Sequence, residues 1–251
     1  MARIAVDHAT EDLLPAATAL ARELNLPLRD VSASYDALLH IGEQGLSLVT
    51  QGPGAPGPLS VDFADPALLH RRRSGHNEPL GRALGVHKWP GMSVVDATAG
   101  LGRESFVIAD LGARVTMLEK HPAVFALLRD GLRRGQASGT GKVSTICNSL
   151  VLYRADSGNW LLQNTADAVY LDPMFPARQK SARVKKGMWV FQQLLEQPIS
   201  KDAEQALLEA ALGAARRRVV VKRPVKAPPL AALAPGFSVP GKTVRFDVYD
   251  P

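Results

Sequence analysis

The 251-residue sequence contains one cysteine and no long run of apolar residues. Because a membrane-spanning helix needs about 18 or more apolar residues in a row, we expect none here. The first residues include Asp7, Glu11 and Asp12, so they lack the basic-then-apolar order of a secretory signal peptide. Cys147 has no partner for an internal disulfide, which fits a reducing cytosol. These absences favour a cytoplasmic protein that does not contact membranes.

The composition excludes some classes of protein and favours others. The positions of the 6 histidines show no spacing that is typical of metal ligands, so we expect no metal site. Apolar residues make up 46% of the chain, which predicts an ordered, globular protein. The net charge of +6 and the isoelectric point near 9.6 favour a polyanionic partner such as nucleic acid, although a merely basic surface gives the same balance.

Residues 1–75 are predicted to form a small α+β domain. Apolar residues at helical spacing indicate a helix over Thr10–Leu24. Short strands are expected at Ala37–Ile41 and Leu46–Thr50, on either side of a glycine-containing turn, and at Leu59–Phe63. No catalytic constellation is visible in this part of the sequence.

Residues 76–251 show a different pattern, in which strand-like and helix-like runs alternate. The strand-like runs are Ser93–Ala97, Arg114–Glu119, Lys142–Cys147, Ala166–Leu171, Arg218–Lys222 and, as an edge or antiparallel strand, Lys242–Tyr249. The helix-like runs are Arg103–Leu111, His121–Arg134, Gly187–Leu195 and Asp202–Arg216. This alternation predicts an α/β Rossmann-like domain with a parallel sheet and helices on both faces. Because ligands bind at the carboxyl ends of such strands, the residues that follow each strand are the candidates for a site.

Polar or flexible residues follow the first three of these strands. Gly100 and Gly102 allow a sharp turn and close approach of a ligand, but the third glycine of the dinucleotide fingerprint is missing. Glu119 stands one strand–helix–strand unit later, where a carboxylate suits the ribose hydroxyls of NAD or S-adenosylmethionine. Asn148 and Ser149 follow the third predicted strand and could contact an adenine edge. Each feature alone is also consistent with an ordinary turn, a solvated charge or a cap.

The segment LDPMFP at 171–176 is the most specific motif of the sequence. Its two prolines cannot donate to a strand ladder, so the fourth strand must end at Asp172. The carboxylate of Asp172 and the carbonyl of Pro173 are then acceptors at the strand end, which suits an amine donor. Phe175 can stack on a planar base. We therefore expect Asp172, Pro173 and Phe175 to form the catalytic set.

These motifs resemble those of a known family. VVDATAGLGRE, VTMLEK, YLDPMFPARQKSARVKK and RVVVKRP, with VDF and HRR upstream, resemble the bacterial ribosomal RNA small subunit methyltransferase J family. The resemblance covers roughly residues 59–250. It implies a Rossmann-like class I domain that binds S-adenosylmethionine and methylates the N2 amine of one guanosine near the 3′ end of 16S ribosomal RNA. The implied partner is this RNA or the small ribosomal subunit.

The resemblance also implies particular cofactor contacts. Where other members often have two serines, this sequence has Asn148 and Ser149. Asp172 is expected to contact the cofactor, the target amine or both, because the amine must be held in line with the methyl group and its protons accepted. The other cofactor contacts that the resemblance implies are Arg103 and Glu104, after the glycine turn, and Glu119 and Lys120, after the second strand.

A basic segment follows the catalytic motif. We expect it to contact RNA phosphates because it leaves the strand end that carries Asp172, although a solvated basic loop is the alternative. Arg71–Arg73 and Lys222–Arg223 are expected to add to the same basic rim. The predicted RNA-binding residues are Arg178, Lys180, Arg183, Lys185 and Lys186.

Three other functions remain open from the sequence. A DNA amino-methyltransferase shares the Asp-Pro-x-Phe theme, but a chain this short has no obvious DNA-recognition domain, so we expect no DNA partner. An NAD-dependent oxidoreductase is disfavoured by the glycine spacing and by the proline motif. A non-catalytic ribosome-assembly protein on the same scaffold is disfavoured by suitable groups at four strand ends. No feature of the sequence indicates an oligomeric state.

Overall fold

A computed structural model describes residues 2–71, 78–139, 141–173 and 200–251 of the chain. Its contacts divide the chain into two compact units, which are described separately. Among the described residues, the first unit contains 2–62 and 121–134, and the second contains 63–71, 78–120, 135–139, 141–173 and 200–251. The units are not continuous in sequence, and the predicted domain boundary at residue 75 stays a prediction.

The first unit contains a small mixed sheet and a helix. Strands β1 (Ile4–His8) and β2 (Ala37–Gly42) pair in parallel, and β2 pairs with β3 (Gly45–Thr50) as an antiparallel hairpin. Helix α1 (Leu14–Leu24) carries a proline in its first turn and ends at Asn25, whose left-handed φ of 55° is typical of a helix C-terminus.

The structure confirms part of the prediction for this region and corrects the rest. Strands β2 and β3 lie where the sequence predicted them. Residues Leu59–Phe63 do not form the predicted strand, because only an isolated bridge between Leu48 and Leu59 pairs this segment. Strand β1 was not predicted. The predicted helix begins with a 3-10 turn at Glu11–Leu13 before α1 takes over.

The second unit contains a seven-stranded sheet of the predicted Rossmann-like kind. Its strands are β4 (Ser93–Asp96), β5 (Arg114–Glu119), β6 (Leu150–Arg154), β7 (Ala166–Leu171), β8 (Ala215–Pro224), β9 (Phe237–Pro240) and β10 (Val244–Tyr249). The strand order is β6-β5-β4-β7-β8-β10-β9. Strands β4 to β8 are parallel, whereas β10 pairs with β8 and β9 in antiparallel fashion. The antiparallel strand predicted at the C-terminus is confirmed.

Helices α2 (Pro66–Arg71) and α3 (Pro79–Leu84) precede the first strand of this sheet. Between its parallel strands, the chain forms α4 (Arg103–Asp110), α5 (Pro122–Ala137), α6 (Gly141–Asn148), α7 (Ser157–Leu161) and α8 (Lys201–Ala214). Residues 122–134 of α5 belong to the first unit. The central strands are buried on both faces, as parallel strands between helices must be, and Val219, Val220 and Val221 of β8 are 0% exposed. In the described part of the chain, no helix is long and apolar enough to cross a membrane.

The predicted strand over Lys142–Cys147 is wrong, because these residues lie in α6. Val143, Ile146 and Cys147 are buried at the three- and four-residue spacing of a helix face. The third parallel strand is β6, an edge strand whose alternate residues Val151 and Tyr153 are about half exposed. Its sequence LVLYR is strand-like, but the prediction assigned the third strand to the residues just before it. The helix predicted at Gly187–Leu195 lies outside the described residues.

The sheet has one topological switch point. Strand β4 lies between β5 and β7, and the chain progresses outward from β4 in both directions. In a sheet of this kind, a crevice forms at the carboxyl ends of the strands beside the switch point. This is where the fold places a ligand site.

Candidate active site at the switch point

The loop between β4 and α4 has a backbone that only glycine adopts easily. Gly100 has a φ of 53° and Gly102 a φ of 72°, both in the left-handed region. Gly102 is the cap residue before Arg103, the first residue of α4. The first amides of α4 have no intrahelical acceptors, so the predicted glycine turn presents bare backbone at the crevice.

Glu119, the last residue of β5, faces this turn. Its side chain is buried at 6% exposure, and Oε2 accepts a hydrogen bond from the Gly100 amide at 3.2 Å. The Ala99 amide donates to the Leu118 carbonyl at 3.2 Å and joins the same two segments. The buried carboxylate is thereby fixed beside the glycine turn, whereas Lys120 is exposed.

Asp172, the first residue after β7, forms an ionic cluster with a lysine from the neighbouring strand. Lys222 Nζ of β8 donates to Asp172 Oδ2 at 2.7 Å and to Glu104 Oε1 of α4 at 3.0 Å. The lysine side chain is 22% exposed and that of Asp172 is 35% exposed. One ammonium therefore bridges two carboxylates that come from different parts of the fold.

The surroundings of the cluster shift the pKa values of its members. Burial raises the pKa of Asp172 and Glu104 adds to the rise, while the charge and hydrogen bond of Lys222 oppose it. Burial lowers the pKa of Lys222, but the carboxylates of Asp172 and Glu104 outweigh burial and leave this pKa raised. The lysine thus remains a cation across the physiological range.

A further carboxyl group, Asp96 at the end of β4, lies beneath the turn. It is 1% exposed, accepts a hydrogen bond from Ser105 Oγ at 2.5 Å through Oδ2, and accepts another from the Thr98 amide at 3.2 Å. Burial raises the pKa of Asp96 to about 7, although both hydrogen bonds lower it. Its two hydrogen bonds join Thr98, before the glycine turn, to Ser105 of α4, after it.

The strand-end residues fit S-adenosylmethionine. A buried carboxylate at the end of β5 suits the two hydroxyls of a ribose, and a turn without side chains allows the rest of the molecule to approach the backbone. Within the described ranges, no group of three or more His, Cys, Asp or Glu side chains could hold a metal ion.

Comparison with known proteins supports the same assignment. A family model of SAM-dependent methyltransferases matches residues 19–251. Ribosomal RNA small subunit methyltransferase J of Thioalkalivibrio sulfidiphilus is 48% identical over 98% of this chain and 97% of its own length. The protein of the same name from Pseudomonas paraeruginosa is 41% identical over 98% of this chain and 94% of its own length.

The chain belongs to the ribosomal RNA small subunit methyltransferase J family. The solved structure of a SAM-dependent methyltransferase from Neisseria gonorrhoeae is similar to it, with a TM-score of 0.75 and 32% identity. The match covers 98% of this chain and 95% of that one. The fold is that of a class I SAM-dependent methyltransferase, as predicted, and the chain is an enzyme of that kind.

Two residues that the family resemblance placed at the cofactor lie elsewhere in the fold. Asn148 and Ser149 precede β6, at the amino-terminal edge of the sheet, whereas Glu119 lies at the carboxyl-terminal edge. Asn148 Nδ2 donates to Ser144 Oγ at 3.3 Å, and Ser149 Oγ donates to the Ile146 carbonyl at 2.7 Å. The prediction that they follow the third strand is therefore wrong, and they cap the end of α6 instead.

The residues that do follow the third strand are Asp156 and Ser157. The Ala155 amide donates to the Glu119 carbonyl at 3.3 Å, which places this segment beside the end of β5. Asp156 caps α7 by accepting from the Asn159 amide at 3.2 Å, and Ser157 Oγ donates to the Ala97 carbonyl. Sequence reasoning missed this pair because it placed the third strand one element too early.

The other predicted site residues are distributed as follows. Arg103 begins α4 but pairs with Asp65 at 3.1 Å and is half exposed, so its cofactor contact stays a prediction. Arg223 is buried and donates to the Pro228 carbonyl at 2.9 Å, and Lys222 is held by carboxylates, so neither forms the expected basic rim. Outside the described residues lie Phe175, Arg178, Lys180, Arg183, Lys185, Lys186 and, upstream, Arg72 and Arg73.

Proposed function

We propose that this chain transfers a methyl group from S-adenosylmethionine to the exocyclic N2 of a guanosine in 16S ribosomal RNA. The products are N2-methylguanosine and S-adenosylhomocysteine. The observation that carries the proposal is the position of Asp172, an acceptor at the switch point, at the end of β7, with Glu119 at the end of β5 on the other side of β4. Family membership supports the RNA acceptor, because the curated relatives are named for the small-subunit ribosomal RNA.

The cofactor site is proposed from the strand ends. Glu119 binds the ribose hydroxyls, and the backbone at Gly100 and Gly102 lies against the rest of the molecule. Asp156 and Ser157, rather than Asn148 and Ser149, are proposed to meet the adenine, because they follow β6 at the same edge as Glu119. When bound, the cofactor supplies an electrophilic methyl group on a sulfonium.

The acceptor amine of guanine is a weak nucleophile. Its lone pair is delocalised into the guanine ring, so the site must orient the nitrogen and accept its protons as positive charge develops. Asp172 and the Pro173 carbonyl are acceptors at the end of β7 and serve this role in the proposal. Phe175 is proposed to stack on the base, which must leave its neighbours to enter the crevice.

The RNA and the cellular location complete the proposal. The small ribosomal subunit or its 16S RNA is the proposed partner, bound through Arg178, Lys180, Arg183, Lys185 and Lys186. Such a substrate implies a cytoplasmic enzyme. Contacts with phosphates position the RNA but do not select the base, so selection of the guanosine falls to the crevice.

The proposal is tested by acceptor preference. The protein is incubated with labelled S-adenosylmethionine and, in separate reactions, small ribosomal subunits, naked 16S RNA and duplex DNA. Label in RNA that elutes as N2-methylguanosine supports the proposal. Label in DNA as an amino-methylated adenine or cytosine would overturn it in favour of a DNA amino-methyltransferase.

A further inference from the structure

Lys222 was expected at a basic rim, yet its ammonium lies between two carboxylates of the site. It belongs to β8, one strand beyond β7, and its ammonium contacts Asp172 at 2.7 Å and Glu104 at 3.0 Å. Asp172 and Lys222 come from neighbouring strands, because Leu171 at the end of β7 pairs with Val221 of β8, whereas Glu104 lies on α4. The lysine ammonium thus links the ends of β7 and β8 to the helix that follows β4.

The charge balance around Asp172 depends on this lysine. The charged groups that face Asp172 are Lys222 from β8, Glu104 from α4 and Asp96 from β4. Lys222 is therefore the cation for two carboxylates, and the nearby Asp96 adds a third acidic group, in a partly buried region. Removing the cation leaves acids that repel one another and are poorly hydrated, so a proton binds to one of them more readily.

We propose that Lys222 is a positioning residue of the methyl transfer, which holds Asp172 ionised and oriented toward the target amine. This inference rests on the proposed function. A carboxylate accepts through both oxygens, so an ammonium bound at Oδ2 does not prevent Oδ1 from accepting a proton of the amine. Lys222 acts only through Asp172 and Glu104 and is not itself placed on the substrate.

The chemistry of lysine suits this position. Its ammonium is a compact point charge with three donors, so it reaches two carboxylates that approach from different directions. A guanidinium is a planar fork matched to one carboxylate at a time. Arginine at this position is therefore expected to keep the charge but to orient Asp172 less well.

The test uses three variants. They are Lys222→Met, Lys222→Arg and a double variant that carries both Glu104→Gln and Lys222→Met. Lys226→Met is the control. Lys226 is exposed, and its substitution removes the same charge four residues further along the chain. Single-turnover methyl transfer to small ribosomal subunits is measured from pH 5 to pH 9. In parallel, the carboxyl carbon of Asp172 is titrated by NMR without RNA, and cofactor affinity is measured by calorimetry.

The inference predicts a displaced pH profile. In Lys222→Met, the acidic limb of the rate and the NMR midpoint of Asp172 move to higher pH by about 1 to 3 pH units. In the double variant, the acidic limb and the NMR midpoint move back toward their wild-type positions, because Glu104→Gln removes a negative charge. Lys222→Arg keeps the wild-type midpoint with a lower maximal rate, and Lys226→Met matches the wild type.

Two contrary results are distinguishable. If folded Lys222→Met has the wild-type acidic limb and the wild-type Asp172 midpoint, Lys222 does not control Asp172. This inference is then overturned, while the proposed function stands. If the wild-type chain transfers no methyl group to any RNA, the proposed function is overturned and the inference falls with it. A loss of rate without any pH displacement contradicts the positioning role, since it is the result expected of a lysine that only stabilises the fold.

Discussion

The backbone amide of Asp172 donates a 2.6 Å hydrogen bond to the hydroxyl of Thr98. Thr98 follows β4 and Asp172 follows β7, so this bond joins the two loops that border the switch point. The Ala97 amide donates to the Tyr170 carbonyl at 3.0 Å and joins the same strands one residue earlier. The position of the proposed acceptor is therefore fixed from both its side chain and its backbone.

Replacing Thr98 tests this backbone anchor. Thr98→Val keeps the shape but removes the acceptor, which leaves the Asp172 amide unpaired at a cost of about 1–3 kcal/mol. Because misplacement of a reacting group lowers the rate steeply, methyl transfer is expected to fall about 10- to 100-fold. Thr98→Ser retains the hydroxyl and is the matched control. Equal activity of the valine and serine variants in single-turnover assays would contradict the anchor.

Glu119 is expected to set the cofactor affinity. Glu119→Gln keeps the size of the side chain and removes its charge, so it weakens the hydrogen bonds proposed for the ribose. Hydrogen bonds to charged groups contribute about 1.5–3 kcal/mol, which corresponds to roughly 10- to 100-fold in the dissociation constant. Calorimetry with S-adenosylhomocysteine measures the change. A variant with Asn148→Ala and Ser149→Ala is the control and should bind as the wild type does.

Asp96 gives the stability a pH dependence of defined sign. Burial raises its pKa in the folded protein to about 7, from an ordinary value of 3.8. The folded state therefore binds more protons than the unfolded state between about pH 4 and pH 7, and the free energy of unfolding falls as the pH rises through this window. The total loss from this group is at most about 4 kcal/mol.

The neutral variant Asp96→Asn is expected to remove this pH dependence. Urea denaturation at a series of pH values gives the free energy of unfolding for the wild type and the variant, and the difference between their slopes isolates Asp96. Asp250→Asn, at an exposed carboxyl near the C-terminus, is the control. Identical slopes for the wild type and Asp96→Asn would mean that the buried carboxyl stays ionised.

The basic segment is expected to determine RNA affinity. Lys185→Glu combined with Lys186→Glu should weaken binding to 16S RNA and flatten its salt dependence, because phosphate contacts release counterions. Cofactor affinity should not change. A charge-matched control, Lys201→Glu with Lys226→Glu, alters exposed lysines outside the segment. Parallel losses of RNA and cofactor binding would indicate misfolding and would remove the support for a phosphate contact.

The strands of the sheet were predictable where burial dominates the sequence. Runs such as Ser93–Ala97 and Arg218–Lys222 have valines at their centres because parallel strands are covered on both faces. Prolines after Asp172 marked the end of the fourth strand, and the glycines after β4 marked a turn with positive φ. Because the prolines and glycines marked the strand ends, they also indicated which residues lie at the candidate site.

The remaining features depend on tertiary contacts that no local pattern encodes. Helix α6 contains the β-branched residues Val143, Thr145 and Ile146, which favour a strand, so the third strand was assigned there instead of to β6 and its end was misplaced. Lys222 lies in the run RVVVKRP, which predicts a strand and led us to expect the lysine at a basic rim. Its role emerges from Glu104 and Asp172, which are 118 and 50 residues away in the sequence.

The central claim is that Asp172 at the switch point serves methyl transfer to a guanine amine in 16S RNA. The most direct measurement is transfer of labelled methyl from S-adenosylmethionine to small ribosomal subunits by the wild type and by Asp172→Ala, with nucleoside analysis of the product. The account predicts N2-methylguanosine from the wild type, and a folded variant that yields little or none. Near-wild-type yield from Asp172→Ala, or label in another nucleoside, would contradict it.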